Sequence, residues 1–522
     1  MANQHTRAQM QIAAGKRQRS HLVRQHCPAH FHGGTIRAGE RNRPRQSDRH
    51  GTGADGCQNG PRFVFAGAHQ QGADPSQRMA LRGFAQANKQ QAGSRMCKRL
   101  EVLNNRAGYG SRSDFVLLNQ VYAQPCFFTN VQSGRRTTMK ITQVQTYIVG
   151  NPWKNWVFAR VDTDAGVHGI GEGTLNGFAR TVEAAIHELK RFVIGQDPFD
   201  VEAHSLRLFR DVYSDGGQIQ GAALAAIEFA CWDIMGKVTG QPVYRLLGGR
   251  CHNQLRAYAN GWYRGPRTPE SFHEKAKDVV ARGYTALKFD PFGPAWRAVD
   301  RPDFGLAIDI IAAVRDAVGP NVDVLIEGHN RFSVHTALQF ADAMAKYTPT
   351  WFEAPVPPQL VSAMVEVARH SPVPIACGED YYCREQFAEL LAHKAVHIIQ
   401  LEPQFLGMTA SKQVCGMALA AGAVTAPHSA QGPLCTIACA HLNTATPNFF
   451  IHEVFDDFNE AWSERILTRP LKVVNGYLSV PDDAPGWGTD LNYEEIALHP
   501  YNPDNFLPLF RQGWERREPV RD

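Results

Sequence analysis

The sequence predicts an α/β fold, a modified TIM barrel of the (β/α)7β type with a smaller N-terminal α+β capping domain. Three observations lead to this prediction. Eight short apolar runs recur at fairly regular intervals, most are separated by a helical pattern, and polar residues fall at the ends of the runs. Strands that alternate with helices are parallel, and eight parallel strands close into a barrel.

The first 138 residues differ from the rest of the chain in composition and charge. They hold 21 Lys and Arg against six Asp and Glu, whereas residues 139–522 hold 34 against 44. Such a polar stretch cannot bury enough apolar surface to offset its chain entropy, so we expect disorder. A transit peptide, a nucleic-acid-binding tail and an upstream extension outside the working protein are the three interpretations. Weak helical patterning and the lack of interleaved aromatic residues favour the last.

Residues 139–255 predict the capping domain. The runs MKITQVQTYIV, from Met139, and NWVFARVDTDAGVHGIGEGT have strand patterns, and helical periodicity follows over 180–194 and 222–239. Gly169, Gly171 and Gly173 lack the spacing of a nucleotide-binding loop, so we predict a turn there. Gly248 and Gly249 end this part of the chain.

The eight apolar runs lie in the predicted barrel domain, residues 256–485. The remaining residues, 486–522, are irregular and are predicted to pack back on the capping domain. The runs begin at Arg256, Ala286, Asp323, Trp351, Ile375, His397, Ala423 and Phe449.

Three of these runs end on a glutamate at equal spacing. Glu327, Glu353 and Glu379 follow one another at steps of 26 residues, about the length of one strand, one helix and two loops. Neighbouring strands therefore present carboxylates at the same end of the barrel. These carboxylates repel one another unless a cation lies among them, and oxygen ligands favour Mg²⁺ first and Mn²⁺ second.

Other chemically active residues also lie at or near strand ends, where barrel enzymes place catalytic groups. Lys288 is in the second run, Glu402 in the sixth, His428 in the seventh and Glu453 in the eighth. The sequence therefore predicts one site at the carboxyl end of the barrel.

These residues resemble the enolase superfamily and, within it, the mandelate racemase subgroup. The resemblance covers Met139 to about Asn492 and rests on WDIMGK at 232–237, LLGG at 246–249, the three glutamates and APH at 426–428. Because a histidine follows Glu327 by two residues, the chain is most similar to galactonate dehydratase-type sugar acid dehydratases. The resemblance implies Mg²⁺-dependent dehydration of an aldonate, such as galactonate or gluconate, to a 2-keto-3-deoxy acid through an enediolate.

The resemblance also implies residue roles. His428 would remove the C2 proton and Glu402, where the family usually has Asp, would orient it. His329 would protonate the departing 3-hydroxyl, with a capping or supporting role as its alternative. Lys288 would neutralise the substrate carboxylate. Glu453 would hydrogen-bond the carboxylate or the enediolate, or serve as a structural rim residue.

Further residues are candidates for contact with the substrate. The first hairpin loop, 150–156, is where the superfamily keeps a mobile specificity loop, although an ordinary hairpin loop is equally compatible with the sequence. The family's second strand-two lysine is replaced here by aspartate, which disfavours two-base racemisation. The substrate-binding candidates are Trp153, Lys154, Trp262, Arg264, Asp290 and Arg331.

Two alternative functions remain. The nearer is a racemase, epimerase or lactone cycloisomerase of sugar acids, and the more distant is a non-enzymatic role with a nucleic-acid-binding extension. No apolar run approaches the roughly 18 residues of a membrane helix, and the eleven cysteines show no C-x-x-C pair. We therefore expect a cytoplasmic protein with reduced thiols and no membrane partner. The resemblance implies a homo-oligomer that acts on a small-molecule sugar acid, and we expect no nucleic acid as a partner.

Overall fold

The computed structural model describes residues 138–517. The basic extension predicted for residues 1–138 lies, apart from its last residue, outside the described residues. Across 138–517, no helix combines the length and the apolar character needed to cross a membrane.

The capping domain begins with a three-stranded antiparallel sheet in the order β1-β2-β3. Its strands are β1 (Ile141–Gly150), β2 (Asn155–Thr163) and β3 (His168–Glu172). Gly150 pairs with Asn155, so residues 151–154 form the hairpin loop. Four helices follow, namely α1 (Ala179–Leu189), α2 (Val201–Arg210), α3 (Gly217–Thr239) and α4 (Val243–Leu246).

The glycine run of the capping domain is not the turn that its sequence predicts. Gly169 and Gly171 lie in β3, and Gly173 follows directly. A Cβ atom at these three positions would lie 2.0, 1.9 and 2.1 Å from carbonyl oxygens of α3. The glycines therefore allow the backbone of α3 to pack directly on the strand, a contact that any larger side chain would prevent.

The barrel domain confirms the predicted (β/α)7β class. Its parallel strands are β4 (Leu255–Ala259), β5 (Ala286–Phe289), β6 (Asp323–Glu327), β7 (Trp351–Glu353), β8 (Ile375–Cys377), β9 (Ile398–Ile399), β10 (Val424–Thr425) and β11 (His452–Val454). The helices between them are α5 (Pro269–Ala281), α6 (Arg301–Val318), α7 (Val334–Met344), α8 (Val361–His370), α9 (Arg384–Ala392), α10 (Pro403–Ala421) and α11 (Pro433–Thr444).

Hydrogen bonds close the strands into a ring. Strands β4 to β10 pair in chain order, and β11 pairs with β4. The last junction is made just before β11, where the Phe450 amide donates to the Thr425 carbonyl over 2.9 Å. A short strand, β12 (Tyr477–Leu478), adds antiparallel to β4.

The inside of the barrel is a packed core. It contains both large and small side chains, and the Tyr258 ring meets the Trp351 ring edge-on at 5.7 Å. This layer closes the barrel beneath the strand ends, so a site above it is reached only from the capping side. The ring of strands contributes Tyr258, Ala286, Leu325, Trp351, Ala376, Ile398, Ala426 and Ile451 to this core.

The C-terminal segment runs back along the capping domain. After α12 (Tyr493–Leu498), the His499 carbonyl accepts a hydrogen bond from the Gly150 amide over 2.9 Å. The Asn155 side chain donates to the Asn502 carbonyl over 2.8 Å. These bonds place the C-terminal segment beside the first hairpin loop, on the same side as the barrel's carboxyl ends.

Candidate active site

Three glutamates meet at the carboxyl ends of β6, β7 and β8. Glu327 and Glu353 are direct partners in the parallel register, and Glu379 lies two residues past β8. One carboxylate oxygen from each lies within 4.8 Å of the others. Glu327 Oε2 is buried and has the Lys288 ammonium at 3.1 Å, without hydrogen-bond geometry to any residue in 138–517.

The charges of these glutamates oppose one another. Burial, and next the charge of Glu327, raise the pKa of Glu353 to about 8. Burial and the same neighbour raise the pKa of Glu379 well above its ordinary value. An all-oxygen donor set of three like charges whose oxygens lie within 4.8 Å of one another fits a hard divalent cation, Mg²⁺ or Mn²⁺.

Lys288 lies beside the glutamates at the end of β5. Its Nζ is 2.6 Å from Glu353, 3.0 Å from Glu453 and 3.1 Å from Glu327. Burial lowers the pKa of Lys288, but the carboxylates, Glu353 foremost, outweigh burial and hold this pKa well above its usual range. Lys288 is therefore a fixed positive charge.

Glu453, at the end of β11, has both oxygens occupied. Oε1 accepts from the Asn260 side chain over 2.8 Å and pairs with Lys288, and Oε2 accepts from the Ser429 amide over 2.8 Å. It is fully buried. Its contacts hold Lys288 and the loop that follows β10.

His428 is positioned by a second buried carboxylate. Its Nδ1 lies 2.6 Å from Glu402 Oε2, and because a carboxylate only accepts, Nδ1 carries the proton. The other oxygen of Glu402 caps α10 by accepting from the Gln404 amide over 2.8 Å. Burial lowers the pKa of His428, but the charges of Glu453, Glu402 and Glu379 raise it overall to about 10.

His329 has an analogous arrangement after β6. Its Nδ1 lies 2.7 Å from Asp290 Oδ2, and the buried Arg331 guanidinium also donates to Asp290. Burial lowers the pKa of His329, and the hydrogen bond to Asp290 opposes that effect. His329 has a φ of 47°, a strained conformation for a residue with a side chain.

The two histidines approach the site from opposite sides. His329 follows β6 and His428 follows β10, and in the ring of eight strands these two are separated by three strands on either side. The three glutamates lie between them on β6, β7 and β8. A molecule bound at the carboxylates therefore has one histidine on each side.

Both histidines face a space of about 160 Å³, here called the inner cavity. Glu327, Glu379 and Lys288 also line it. Its outer wall combines the first hairpin loop, the loops after β4 and β11, and the C-terminal segment, with the residues Trp153, Lys154, Tyr263, Phe455, Leu507, Leu509 and Trp514.

Lys154 reaches from the capping domain to the loop of His428. Its Nζ donates to the Ala430 carbonyl over 3.0 Å and to the Gln431 side chain over 3.1 Å. Burial, partly offset by Glu402, lowers the pKa of Lys154 to about 8. Lys154 thus ties the hairpin loop to the loop that carries His428.

Four of the six substrate-binding candidates do not line the inner cavity. The Trp262 indole donates to the Lys288 carbonyl over 2.8 Å and packs on Phe289. Arg264 lies at the surface, 3.0 Å from Glu460. Arg331 and the fourth candidate, Asp290, are completely buried behind His329, where they pair with each other.

An arginine near the end of the described residues, which was not predicted from the sequence, packs against the outer wall. Arg517 is 7% exposed, and its guanidinium carbon lies 3.6 Å from the ring centre of Trp153, 5.0 Å from Phe455 and 5.7 Å from Tyr263. All three rings line the inner cavity. No sequence pattern marks this residue, because its partners come from three distant parts of the chain.

Comparison with known families accounts for both domains. The family described as "Mandelate racemase / muconate lactonizing enzyme, N-terminal domain" matches residues 135–248, and "Enolase C-terminal domain-like" matches residues 271–496. A D-galactonate dehydratase of Ralstonia pickettii is 33% identical, with 72% of this chain and 98% of the relative covered. A D-gluconate/D-galactonate dehydratase of Picrophilus torridus is 31% identical, with 67% and 91% covered.

Solved structures are similar over the same region. A mandelate racemase/muconate lactonizing enzyme from Jannaschia sp. CCS1 is 33% identical with a TM-score of 0.66, and the match covers 70% of this chain and 98% of that one. A member of the enolase superfamily from Salmonella Typhimurium is 30% identical with a TM-score of 0.66, covering 69% and 98%. The chain belongs to the mandelate racemase/muconate lactonizing enzyme family of the enolase superfamily.

Proposed function

We propose that this protein is a hydro-lyase that removes water from an aldonate, such as galactonate or gluconate, and releases a 2-keto-3-deoxy acid. The observation that carries the proposal is the pair of carboxylate-bound histidines on opposite sides of one cavity, beside three clustered glutamates. The names of the relatives at about 30% identity support the same reaction class.

The glutamates would hold the metal ion. Glu327, Glu353 and Glu379 supply the ligands, with Mg²⁺ as the first choice and Mn²⁺ as the second. Bound there, the ion would offset the second negative charge that develops on the substrate carboxylate when the neighbouring proton leaves. Lys288, whose charge is fixed by its carboxylate neighbours, adds to that stabilisation from the side of β5.

His428 removes the proton at C2. Glu402 holds the proton on Nδ1, which leaves Nε2, 3.5 Å from Glu379 Oε2, as the atom that accepts the substrate proton. The charge of Glu379 contributes to the raised pKa of His428, and a cation bound at Glu379 would offset that charge and favour the neutral base. When Nε2 is protonated, the nearby carboxylate stabilises the imidazolium. The cap at α10 fixes Glu402, so the orientation of the imidazole is set before the substrate binds.

His329 protonates the 3-hydroxyl as it leaves. Asp290 accepts from Nδ1 and opposes the burial that lowers the pKa of His329. The charged imidazole gives up its Nε2 proton on the cavity side, and the lowered pKa makes it a stronger acid. Arg331 fixes Asp290 in turn. In this assignment Asp290 and Arg331 are positioning residues rather than substrate contacts.

The outer wall excludes water from the enediolate. Trp153, Phe455 and Trp514 cover the inner cavity with apolar surface, and Lys154 fastens the hairpin loop over it. Exclusion of water strengthens the electrostatic interactions inside the cavity. Homo-oligomeric assembly and a cytoplasmic location stay predictions from the sequence.

The test is a screen of the full-length chain with Mg²⁺ against a panel of aldonic and aldaric acids, with detection of 2-keto-3-deoxy product. We expect turnover of at least one aldonate, lost with EDTA and restored by Mg²⁺. Exchange of solvent deuterium into C2 without loss of the 3-hydroxyl would contradict dehydration and favour a racemase, epimerase or cycloisomerase. Product formation unaffected by EDTA would contradict the metal site.

A further inference from the structure

A second and larger space adjoins the inner cavity. This outer chamber has a volume of about 720 Å³, against about 160 Å³ for the inner cavity, and both are lined by His329, Glu379, Asp380 and Leu509. Small-molecule sites commonly measure about 300–1,000 Å³. A substrate confined to the inner cavity would therefore leave most of the available space unused.

The outer chamber lies on the side of His329. Its walls come from the loops that follow β5, β6, β7 and β8, together with the start of α3 and the C-terminal segment. His428, on the opposite side of the ring, does not line it. The chamber therefore borders the substrate on the side of C3, where the hydroxyl leaves, and not on the side from which His428 takes the C2 proton.

An aromatic platform stands in this chamber. Trp296 is 52% exposed, yet its indole is fixed between neighbours, with the Arg297 guanidinium 4.6 Å from the ring centre and the Phe510 ring at 5.1 Å. A large apolar side chain held in place but left open to solvent presents a flat surface to a ligand. A pyranose ring has a flat apolar face of similar size.

Amide and hydroxyl side chains surround the platform. Asp380 accepts from the Gln218 side chain over 2.8 Å and also from Asn330, so both amides are oriented by one carboxylate. Tyr382 and Gln359 complete this side of the chamber. Such groups match the hydroxyls of a sugar, since a few fixed polar groups on apolar walls set ligand orientation.

The backbone around the chamber is strained. Arg297, His329, Asn330 and Phe510 all line it and have φ values of 59°, 47°, 56° and 75°. Residues with side chains adopt this region at a cost, and such conformations cluster at ligand sites. Four strained residues from three separate segments of the chain therefore converge on one chamber.

We propose that the outer chamber binds a sugar ring linked to the far end of the acid, so that the substrates include glycosylated aldonates. This inference rests on the proposed dehydration. Because C2 loses its proton and C3 loses its hydroxyl, the second sugar must be attached at O4 or beyond. The product then keeps the glycosidic bond, and only the C2–C3 unit of the acid changes.

The test compares gluconate with two of its 4-O-glycosyl derivatives, lactobionate and maltobionate. We expect at least one derivative to be dehydrated with a kcat/KM equal to or above that of gluconate. Trp296→Ala should lower kcat/KM for that derivative at least tenfold and change the value for unsubstituted aldonates less than twofold. Tyr213→Ala is the matched control, because Tyr213 is 97% exposed and lines neither space.

The outcomes separate the two proposals. Turnover of unsubstituted aldonates without turnover of either derivative would overturn the sugar site and leave the dehydration intact. An equal loss on both substrate types in Trp296→Ala would also overturn it. A preference for aldaric acids that Arg297→Gln abolishes and Trp296→Ala spares would assign the chamber to a second carboxylate instead. Failure of every acid would refute dehydration itself.

Discussion

The floor and the outer wall of the inner cavity are built in opposite ways. The floor consists of charged residues at strand ends, namely Glu327, Glu353, Glu379, Lys288 and His428. Lys288 is held by the buried Glu353 and His428 by the buried Glu402. The wall is mostly aromatic and aliphatic, and its residues come from the hairpin loop, two barrel loops and the C-terminal segment. In the proposed mechanism, the floor carries the chemistry and the wall retains the substrate.

The largest expected effect is in the floor. His428→Asn should lower kcat about 10³-fold, within the range expected for loss of a general base, and should abolish deuterium exchange at C2. Steady-state kinetics and exchange in D₂O measure the two effects. His441→Asn, at a buried histidine away from the cavity, is the control. Wild-type exchange in His428→Asn would show that another group removes the proton.

Removal of the Asp290 carboxylate tests the role of His329, on the side of the cavity opposite His428. Asp290→Asn should lower the dehydration rate about 10²-fold, because His329 loses the group that favours its charged form. Exchange at C2 should persist, since His428 keeps Glu402. A rise in KM without a change in kcat would indicate instead that Asp290 contacts the substrate.

A substitution that weakens the wall should raise KM more than it lowers kcat. Arg517→Met keeps the volume of the side chain but loses the charge that rests on Trp153, Phe455 and Tyr263. A desolvated cation–π contact contributes about 2 kcal/mol, a factor of about 30, so we expect KM to rise by up to about thirtyfold while kcat stays within twofold. Arg517→Lys should recover part of the loss.

The neighbouring Arg516→Met supplies the control for that experiment, because Arg516 is exposed and does not touch the rings. Tryptophan fluorescence should also change in Arg517→Met and not in Arg516→Met. A large fall in kcat for Arg517→Met would place this residue with the chemistry of the floor.

Regular spacing explains why the floor could be predicted from the sequence. Strand and helix repeat at a nearly constant length, so Glu327, Glu353 and Glu379 fall on adjacent strand ends, and the family resemblance assigned the histidines. The structure explains how a glutamate serves at position 402, where the family usually has aspartate, since one oxygen caps α10 while the other binds His428.

The wall could not be predicted in the same way. Arg517 and Trp153 are far apart in the sequence, and no periodic pattern relates an irregular tail to a hairpin loop. Trp262 and Arg264 follow β4 as expected. Of residues 262–264, however, only Tyr263 lines the cavity. Helix α2 was not predicted. A turn was predicted at the glycines of β3, because the close packing against α3 that requires glycine there is not visible in the local sequence pattern.

The smallest expected effect is on stability and concerns two buried histidines outside the active site, His441 and His452. Burial lowers the pKa of His441 to about 3 and that of His452 to about 4. The folded state then binds fewer protons than the unfolded state below about pH 6.5, so stability falls as the pH drops through that value. Lowering the pH from 7.5 to 5.5 should therefore reduce the free energy of unfolding by about 1.4 kcal/mol for each of these two histidines.

Urea unfolding at the two pH values measures this cost. In His441→Asn the difference between pH 7.5 and 5.5 should shrink by about 1.4 kcal/mol, because one titrating group is gone. An unchanged difference would mean that His441 is not held neutral in the folded protein.

The division of labour between the two histidines is tested most directly by His329→Asn in D₂O, with an aldonate that the wild-type chain dehydrates. The variant should form no 2-keto-3-deoxy acid and should still exchange the C2 proton at close to the wild-type rate, because His428 and Glu402 are untouched. Loss of both exchange and dehydration, or dehydration that persists without His329, would contradict the assignment of base and acid to opposite sides of the cavity.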